Sequence, residues 1–398
     1  MPTESTFLLA GLFFVAAALG YFFAVFGDDD DEDDELAKGQ LNADYIKGLN
    51  FLLNEQPDQA LEVFMRMVEV DDETLETHFA LGSLFRRRGE LNRAIQIHQN
   101  IIARPNLSVV HREQAMVSLA EDYLSAGLFD RAEKLYKDLR ESTEHGVRAL
   151  HKLIRIHEAT QDWAPAIEVY QALKKIDPDA GEDGRVAHYY CELAEQAALD
   201  RDFPRARELL KKAGSGRHGA DRVRLVLAGL AQETGDHKEA IKIYRQVMKH
   251  QPRLIAEVVP RLAESCRAID DQDALTRSLK ELRKGGSDSG KAIALATVYD
   301  PQIVNETALE CLRDYVLADD VLGNLVDTAS LEEGDLSDQR AALEKVREGL
   351  GAFVSQSHRY RCTECGYVTS QLIWQCPTCR SWETVSPAVQ LSVETPVA

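Results

Sequence analysis

Basic residues are scarce in this chain. Its 398 residues include 46 Lys and Arg against 66 Asp and Glu, which gives a formal charge of −20. Proteins that bind nucleic acids present a basic surface to the phosphate backbone, so this balance excludes a broad nucleic-acid-binding surface. Apolar residues make up 44% and charged residues 28%, which excludes a disordered chain and a membrane protein with many spans.

Cysteine is also rare, with seven residues, an odd number. That count excludes a disulfide scaffold. Four cysteines cluster near the C-terminus, and the other three, Cys191, Cys266 and Cys311, lie singly in helical segments as predicted small buried apolar residues. Thiols kept free for a metal are typical of a reducing compartment. We therefore predict that the bulk of the chain faces the cytoplasm.

Complete catalytic motifs are lacking. No G-x-S-x-G occurs, and the H-E-x-x-H pattern that starts at His157 is broken by Gln161. Gly214, Gly216 and Gly219 match G-x-G-x-x-G, but they follow a helical segment, whereas the dinucleotide-binding fingerprint follows a strand. The sequence predicts a non-enzymatic protein.

Charge is absent from one long run, Phe7–Phe26. A helix of this length crosses a bilayer core of about 30 Å. The run is longer than the apolar core of a signal peptide, roughly 7–15 residues, and no Lys or Arg precedes it. We predict an uncleaved transmembrane anchor over residues 1–27, with a cleaved signal peptide as the alternative. Ala16 and Gly20 form a small-x3-small pair that would allow two anchors to pack as a homodimer.

Eight consecutive acidic residues, Asp28–Glu35, follow the anchor. Such a run repels itself and anionic lipid head groups. We predict a linker over residues 28–40 that holds the body of the protein off the membrane. The alternative is a docking site for a basic partner. No Lys or Arg lies close to the apolar run, so flanking charge does not set its orientation.

Residues 41–355 repeat themselves. An alanine that opens a helix after a short polar turn recurs at spacings of 34, 38, 34, 40, 34, 34, 34 and 34. These alanines are Ala60, Ala94, Ala132, Ala166, Ala206, Ala240, Ala274, Ala308 and Ala342. The period of 34 resembles the tetratricopeptide repeat family. We predict an all-α superhelix of about nine units whose groove holds segments of partner proteins.

A dense basic cluster, Arg86–Arg88, lies on the early repeats. In an acidic protein it could capture an acidic peptide through charge-assisted hydrogen bonds. The alternative is a solvated turn.

The last cysteines, Cys362, Cys365, Cys376 and Cys379, read C-x2-C-x10-C-x2-C. Two such knuckles place four thiolates around one metal ion at about 2.3 Å. The segment is too short for a core of its own, so the metal would supply much of its folding energy. Thiolates suit iron and zinc alike. Because protein fills all four positions, we predict a structural site in a domain over residues 356–398.

Aromatic residues flank the knuckles at Tyr360, Tyr367, Trp374 and Trp382, and we expect them to cover the site. The C-x2-C-G-Y and C-P-x-C patterns resemble the rubredoxin-type metal ribbon. The resemblance implies one tetrahedral iron or zinc ion, although the ten residues between the knuckles are fewer than in that family. An iron-based electron-transfer protein is therefore an alternative function.

Several stretches are more specific than a generic repeat: Gly48–Leu53, Leu84–Glu90, Asp122–Glu133, Tyr190–Ala194 and Arg359–Trp382. With the anchor, repeats and knuckles in this order, the chain resembles the lipopolysaccharide assembly protein B family of Gram-negative bacteria. One departure is the acidic run, where relatives usually carry basic residues.

The resemblance implies a single-pass inner-membrane adaptor that faces the cytoplasm. Such an adaptor would bring the lipid A deacetylase to a membrane-bound AAA protease, and would coordinate lipopolysaccharide synthesis with assembly and export proteins. A general envelope-assembly scaffold with no link to proteolysis is a further alternative.

Overall fold

The computed structural model describes residues 75–178, 184–214, 219–303, 305–318, 336–355 and 359–387, with isolated positions between 46 and 63. The chain divides into two compact units, residues 1–160 and 161–398. The predicted anchor Phe7–Phe26 and the acidic run Asp28–Glu35 lie outside the described residues. Among the residues that are described, no helix combines the length and the apolar character needed to cross a membrane.

The first unit is helical. Its described helices are α1 Leu75–Arg87, α2 Leu91–Ile102, α3 Val109–Ser125, α4 Phe129–Asp138 and α5 Gly146–Thr160, with a 3-10 turn at Leu139–Glu141. Helices α1 and α2 pack on each other, and α3 packs on both.

The second unit contains ten described helices and a small sheet. The helices are α6 Trp163–Ile176, α7 Arg185–Leu199, α8 Phe203–Ala213, α9 Ala220–Glu233, α10 His237–His250, α11 Ile255–Ala268, α12 Gln272–Arg283, α13 Ser287–Tyr299, α14 Glu306–Ala318 and α15 Leu336–Ser355. A 3-10 turn at Pro252–Leu254 precedes α11. Strands β1 Tyr360–Cys362, β2 Val368–Thr369 and β3 Val385–Pro387 form an antiparallel sheet in the order β2-β1-β3.

The periodic alanines lie where the repeat pattern predicts. From Ala94 to Ala308 each falls near the start of the second helix of its unit, and each is at least 96% buried. Ala60 is also buried, while Ala342 lies in α15 and is partly buried against the core of the second unit. A small side chain at this point lets neighbouring helices approach closely, which confirms the tetratricopeptide-like helical fold.

The turns between paired helices use a residue in the left-handed region. Gly127 has φ +71°, and the N–H of Leu128 donates to the carbonyl of Tyr123 across the turn. Arg201 has φ +60° in the equivalent place, with the N–H of Asp202 donating to Ala197. Glycine adopts this conformation without steric cost, whereas other residues pay for it. Glycine and non-glycine residues therefore form the same kind of turn in different repeats.

Candidate metal centre

The sheet of residues 360–387 presents two similar cysteine turns. In the first, Cys362 donates its N–H to the carbonyl of Tyr367, and Gly366 donates to Cys362 with φ +77°. In the second, Cys376 donates to Ser381, and Arg380 donates to Cys376 with φ +62°. The two turns bring both cysteine pairs to one end of the sheet. We call residues 359–387 the ribbon.

The four predicted ligands converge. The Sγ atoms of Cys362, Cys365, Cys376 and Cys379 all lie within 4.8 Å of one another. Sγ of Cys362 is 3.7 Å from that of Cys379, and Sγ of Cys365 is 3.5 Å from that of Cys376. A tetrahedron with metal–sulfur bonds of about 2.3 Å has sulfur–sulfur edges of about 3.8 Å. The four cysteines could therefore hold one metal ion, as a soft, all-thiolate donor set that suits iron or zinc.

The surroundings of two sulfurs, those of Cys362 and Cys379, favour the thiolate, which is the form that binds metals. The Oγ1 atom of Thr384 lies 3.3 Å from Sγ of Cys362. The hydrogen bond between the Cys362 side chain and this hydroxyl is the main cause that lowers the pKa of Cys362 to about 6. The side chain and backbone N–H of Ser381 lower the pKa of Cys379. In the metal-free centre, against a lowering by the backbone of Tyr367, desolvation and hydrogen bonds with the neighbouring thiols raise the pKa of Cys365 to about 12. Cys362 and Cys376 are buried, while Cys365 is exposed, so the centre lies at the edge of the ribbon.

The remaining cysteines stand apart from this centre. Cys191, Cys266 and Cys311 are each at least 98% buried in helices. Burial raises the pKa of Cys191 to about 12 and those of Cys266 and Cys311 to about 11. These thiols stay protonated at neutral pH, which agrees with the prediction that they serve as buried apolar side chains.

Two tryptophans expected to cover the cysteines instead contact helices. The ring of Trp382 stacks on His188 of α7, with centroids 4.7 Å apart, and meets Trp163 of α6 edge-on at 6.1 Å. The ring of Trp374 faces the guanidinium of Arg222 of α9 at 5.8 Å. The prediction was right for Tyr360, which is buried in the ribbon core beside Cys362 and Cys376, whereas Tyr367 is 36% exposed.

Glu383 forms one polar link between the ribbon and the rest of the second unit. Its Oε1 atom accepts a hydrogen bond of 2.9 Å from the N–H of Gly219 and lies 3.3 Å from Nε2 of His188. The hydrogen bond with His188 is the main cause that lowers the pKa of Glu383, with the Gly219 N–H adding to it. Gly219 has φ +74°, and a Cβ there would lie 2.6 Å from that of Ala187. Only glycine fits this position without a shift.

A second polar link joins β1 to α11. The hydroxyl of Tyr360 donates to Oε2 of Glu257 over 2.5 Å. Next to it, the guanidinium of Arg359 lies 4.2 Å above the ring of Tyr299 of α13. Ribbon residues therefore contact helices α6, α7, α9, α11 and α13, all within the second unit.

Other motifs have structural roles. Gly214 and Gly219 lie between α8 and α9, and no strand precedes them among the described residues, as predicted. Arg86 of the basic cluster binds Glu121 at 3.2 Å and Asp122 at 2.8 Å. Its charge is therefore already compensated, which argues against Arg86 as a peptide-binding residue. The pattern gave no sign of these ion pairs because Arg86 and its partners belong to different repeats.

Comparison with known proteins agrees with this architecture. A family model described as a rubredoxin metal binding domain matches residues 360–387. Tetratricopeptide repeat models match residues 77–109, 117–181 and 221–253. A solved tetratricopeptide repeat protein from Parabacteroides merdae is similar over 69% of this chain and 99% of its own, with 13% identity and a TM-score of 0.33, which supports no further statement.

Full-length relatives are more informative. Lipopolysaccharide assembly protein B of Escherichia coli (strain K12) is 32% identical over 376 residues, covering 94% of this chain and 96% of the relative. The protein of the same name from Haemophilus influenzae is 30% identical over 358 residues, covering 87% and 90%. The relatives are named as assembly proteins, and helical repeats are a fold of scaffold and adaptor proteins, so the family is not an enzyme family. This chain belongs to the lipopolysaccharide assembly protein B family.

Proposed function

We propose that this protein is a non-enzymatic adaptor that limits lipopolysaccharide biosynthesis by delivering the lipid A deacetylase to a membrane-bound AAA protease. In this role it also coordinates synthesis with lipopolysaccharide assembly and export proteins. The observation that carries the proposal is the match to lipopolysaccharide assembly protein B over 94% of the chain. The helical repeats support it, since stacked repeats present extended surfaces that hold partner segments.

The proposed organisation has four parts. Residues 1–27 form the anchor, 28–40 the acidic linker, 41–355 the repeats and 356–398 the metal domain. The uncharged run Phe7–Phe26 supports a single span in the bacterial inner membrane, and free thiols support a body on the cytoplasmic side. Ala16 and Gly20 would allow anchors to pair in a homodimer.

We further propose that Cys362, Cys365, Cys376 and Cys379 hold one structural iron or zinc ion. The Sγ distances of 3.5 and 3.7 Å support this assignment. The metal would fix the ribbon, and the ribbon residues Tyr360, Trp382 and Glu383 would then fix it to the helices. Metal analysis of the purified protein tests the ligands: replacing these cysteines by serine must remove the metal. Reversible one-electron reduction coupled to a change in activity would favour the electron-transfer alternative.

The adaptor function is tested by the lifetime of the lipid A deacetylase in cells. The protein is depleted, synthesis is blocked, and the remaining deacetylase is followed by immunoblot. We expect the deacetylase to become long-lived, and the protein restored from a plasmid to shorten its lifetime again. An unchanged lifetime would leave the general scaffold as the better explanation.

A further inference from the structure

A cavity of about 640 Å³ lies in the second unit between repeat helices and the ribbon. Residues of α7 and α9, among them Glu195, Leu225 and Gly229, form its helical wall, and ribbon residues between Leu372 and Arg380 also line it. Binding pockets commonly have volumes of roughly 300–1,000 Å³. The cavity is therefore large enough for several side chains, and its lining combines apolar and charged groups.

Gly229 leaves part of this cavity open. It lies inside α9, where a Cβ atom would meet nothing within 4 Å. Glycine inside a helix is destabilising relative to alanine. At Gly82, by contrast, the fold explains the glycine, because a Cβ there would lie 2.5 Å from the imidazole of His98. No such neighbour explains Gly229, and a missing side chain on a cavity wall allows another backbone to approach closely.

Arg222 offers unused hydrogen-bond donors at the cavity. Its side chain is 97% buried, and Nη2 donates to both Glu192 and Glu195 over 2.7 Å. Its Nε and Nη1 atoms are buried without a hydrogen-bond partner. Buried donors normally find an acceptor. Arg222 lines the cavity, so a bound segment would bring backbone carbonyls, which are hydrogen-bond acceptors, close to these donors.

The helical wall carries an excess of negative charge. Glu192 and Glu195 share one buried cation, Arg222, and the exposed Glu233 also lines the cavity. Two further arginines line the cavity, but Arg261 is paired with Glu257 at 3.1 Å and Arg380 lies on the ribbon. The helical wall is therefore complementary to a basic side chain, and the net charge of −20 attracts a basic partner at long range.

We propose that this cavity binds an extended segment of a partner protein that presents an apolar side chain next to a lysine or arginine. The segment would place its backbone over Gly229, its apolar side chain against Leu225 and Leu372, and its cation beside Glu195 and Glu233. This inference rests on the proposed adaptor function and adds the chemistry of the client. Because ribbon residues line the cavity, loss of the ribbon fold would also abolish binding.

Three dye-labelled decapeptides test the proposal with the full-length, metal-loaded protein in detergent. One carries leucine and lysine in a serine background, the second has glutamate for lysine, and the third has serine for leucine. Binding is followed by fluorescence anisotropy at several salt concentrations. We expect only the leucine–lysine peptide to bind, with an affinity that falls as salt rises because the contact is partly ionic.

Variants of two helical glycines locate the binding. Gly229→Trp fills the cavity and should weaken the peptide at least about tenfold. Gly290→Trp is the matched control. Gly290 also lies in a helix, and a Cβ there would meet nothing within 4 Å, but the residue does not line the cavity. This variant should leave the affinity for the peptide unchanged. Glu233→Gln should weaken binding about threefold and flatten the salt dependence. Circular dichroism and melting temperature check that each variant is folded.

Equal binding to the wild type and Gly229→Trp would overturn the proposal, as would equal binding of the glutamate peptide or no binding of any peptide up to about 1 mM. Cells separate this result from the adaptor function. Suppose that depletion lengthens the lifetime of the deacetylase and that the Gly229→Trp variant shortens it again as well as the wild type does. The cavity proposal then fails and the adaptor function stands. If depletion has no effect, the adaptor function itself fails.

Discussion

Each unit contains a buried histidine that is paired with a carboxylate, and the two pairs join different parts of the fold. In the first unit, Nδ1 of His98 on α2 contacts Asp122 on α3, and both side chains are fully buried. In the second unit, Nε2 of His188 on α7 contacts Glu383, whose side chain is 27% exposed. The first pair joins two successive helices of the repeat array. The second pair joins a helix to the ribbon.

The difference lies in what each pair depends on. Asp122 is positioned by its own helix and is also bound by Arg86, so the first pair forms whenever the repeats fold. Glu383 is positioned by the ribbon, whose own core is small and includes two of the four cysteines, so we expect the second pair to require an intact cysteine centre. We expect the first unit to be insensitive to metal loss and the ribbon-facing helices of the second unit to respond to it.

The largest effect is expected from removing the cysteine centre. Replacing Cys362 and Cys365 by serine should unfold the ribbon and expose Trp382 and His188, since the binding energy of a structural metal is folding energy, roughly 10 kcal/mol or more in small zinc domains. Hydrogen exchange should rise in the ribbon and α7 and stay unchanged in α1–α3, with helical circular dichroism retained. The matched control is Cys311→Ala, a buried cysteine of α14 that lies outside both the centre and the helices read out. Unchanged hydrogen exchange in the ribbon would contradict the proposed structural role of the metal.

Breaking the first pair should be the next largest effect. Asp122→Ala leaves His98 and part of Arg86 without their buried partner, which typically costs about 3–5 kcal/mol. Hydrogen exchange should rise in α1–α3 and stay unchanged in the ribbon, the reverse of the cysteine variant. Asp138→Ala, an exposed acidic residue on α4, is the control and should have almost no effect. A rise in the hydrogen exchange of the ribbon would contradict the independence of the two pairs.

Breaking the second pair should cost less. Glu383→Gln keeps the shape but removes the charge, with an expected loss of about 1–2 kcal/mol for a charged hydrogen bond. Urea unfolding measures this loss of unfolding free energy. It is followed by the fluorescence of Trp374 and Trp382 in proteins from which Trp163 has been removed. Because the pKa of Glu383 is lowered in the folded state, its contribution is complete above the ordinary carboxyl pKa and is lost as pH falls through the folded value.

The pH dependence of this pair is read from the difference in unfolding free energy between the wild type and the Glu383→Gln variant at the same pH, because acid also protonates the cysteines. That difference should shrink as the pH falls below about 4.5, where the carboxylate is protonated. A difference that grows in acid would contradict a carboxylate whose charged form is stabilised by folding.

The same contrast explains what the sequence could and could not predict. The 34-residue spacing placed the helices, and the cysteine spacing placed four sulfurs together, because both signals are local or periodic. The contacts that fix the ribbon are neither: Glu383 binds Gly219 across 164 residues, and Tyr360 binds Glu257 across 103. A single glutamate or glycine has no periodicity, so its partner is visible only once the helices have brought the two together.

The smallest change in stability is expected from substitutions in the turns between paired helices, where the two units can be compared directly. Gly127 in the first unit and Arg201 in the second adopt the same left-handed conformation, with φ +71° and +60°. Gly127→Ala adds a Cβ where glycine has no steric cost, so it should destabilise the first unit by about 1 kcal/mol. Arg201→Gly removes the same strain but loosens the unfolded chain, so the two effects should nearly cancel, leaving a change within about 0.5 kcal/mol. Local hydrogen exchange of α3–α4 and α7–α8 measures both. A large loss in Arg201→Gly would mean that Arg201 has a role beyond its turn, and the two units would then differ in their repeats as well as in the ribbon.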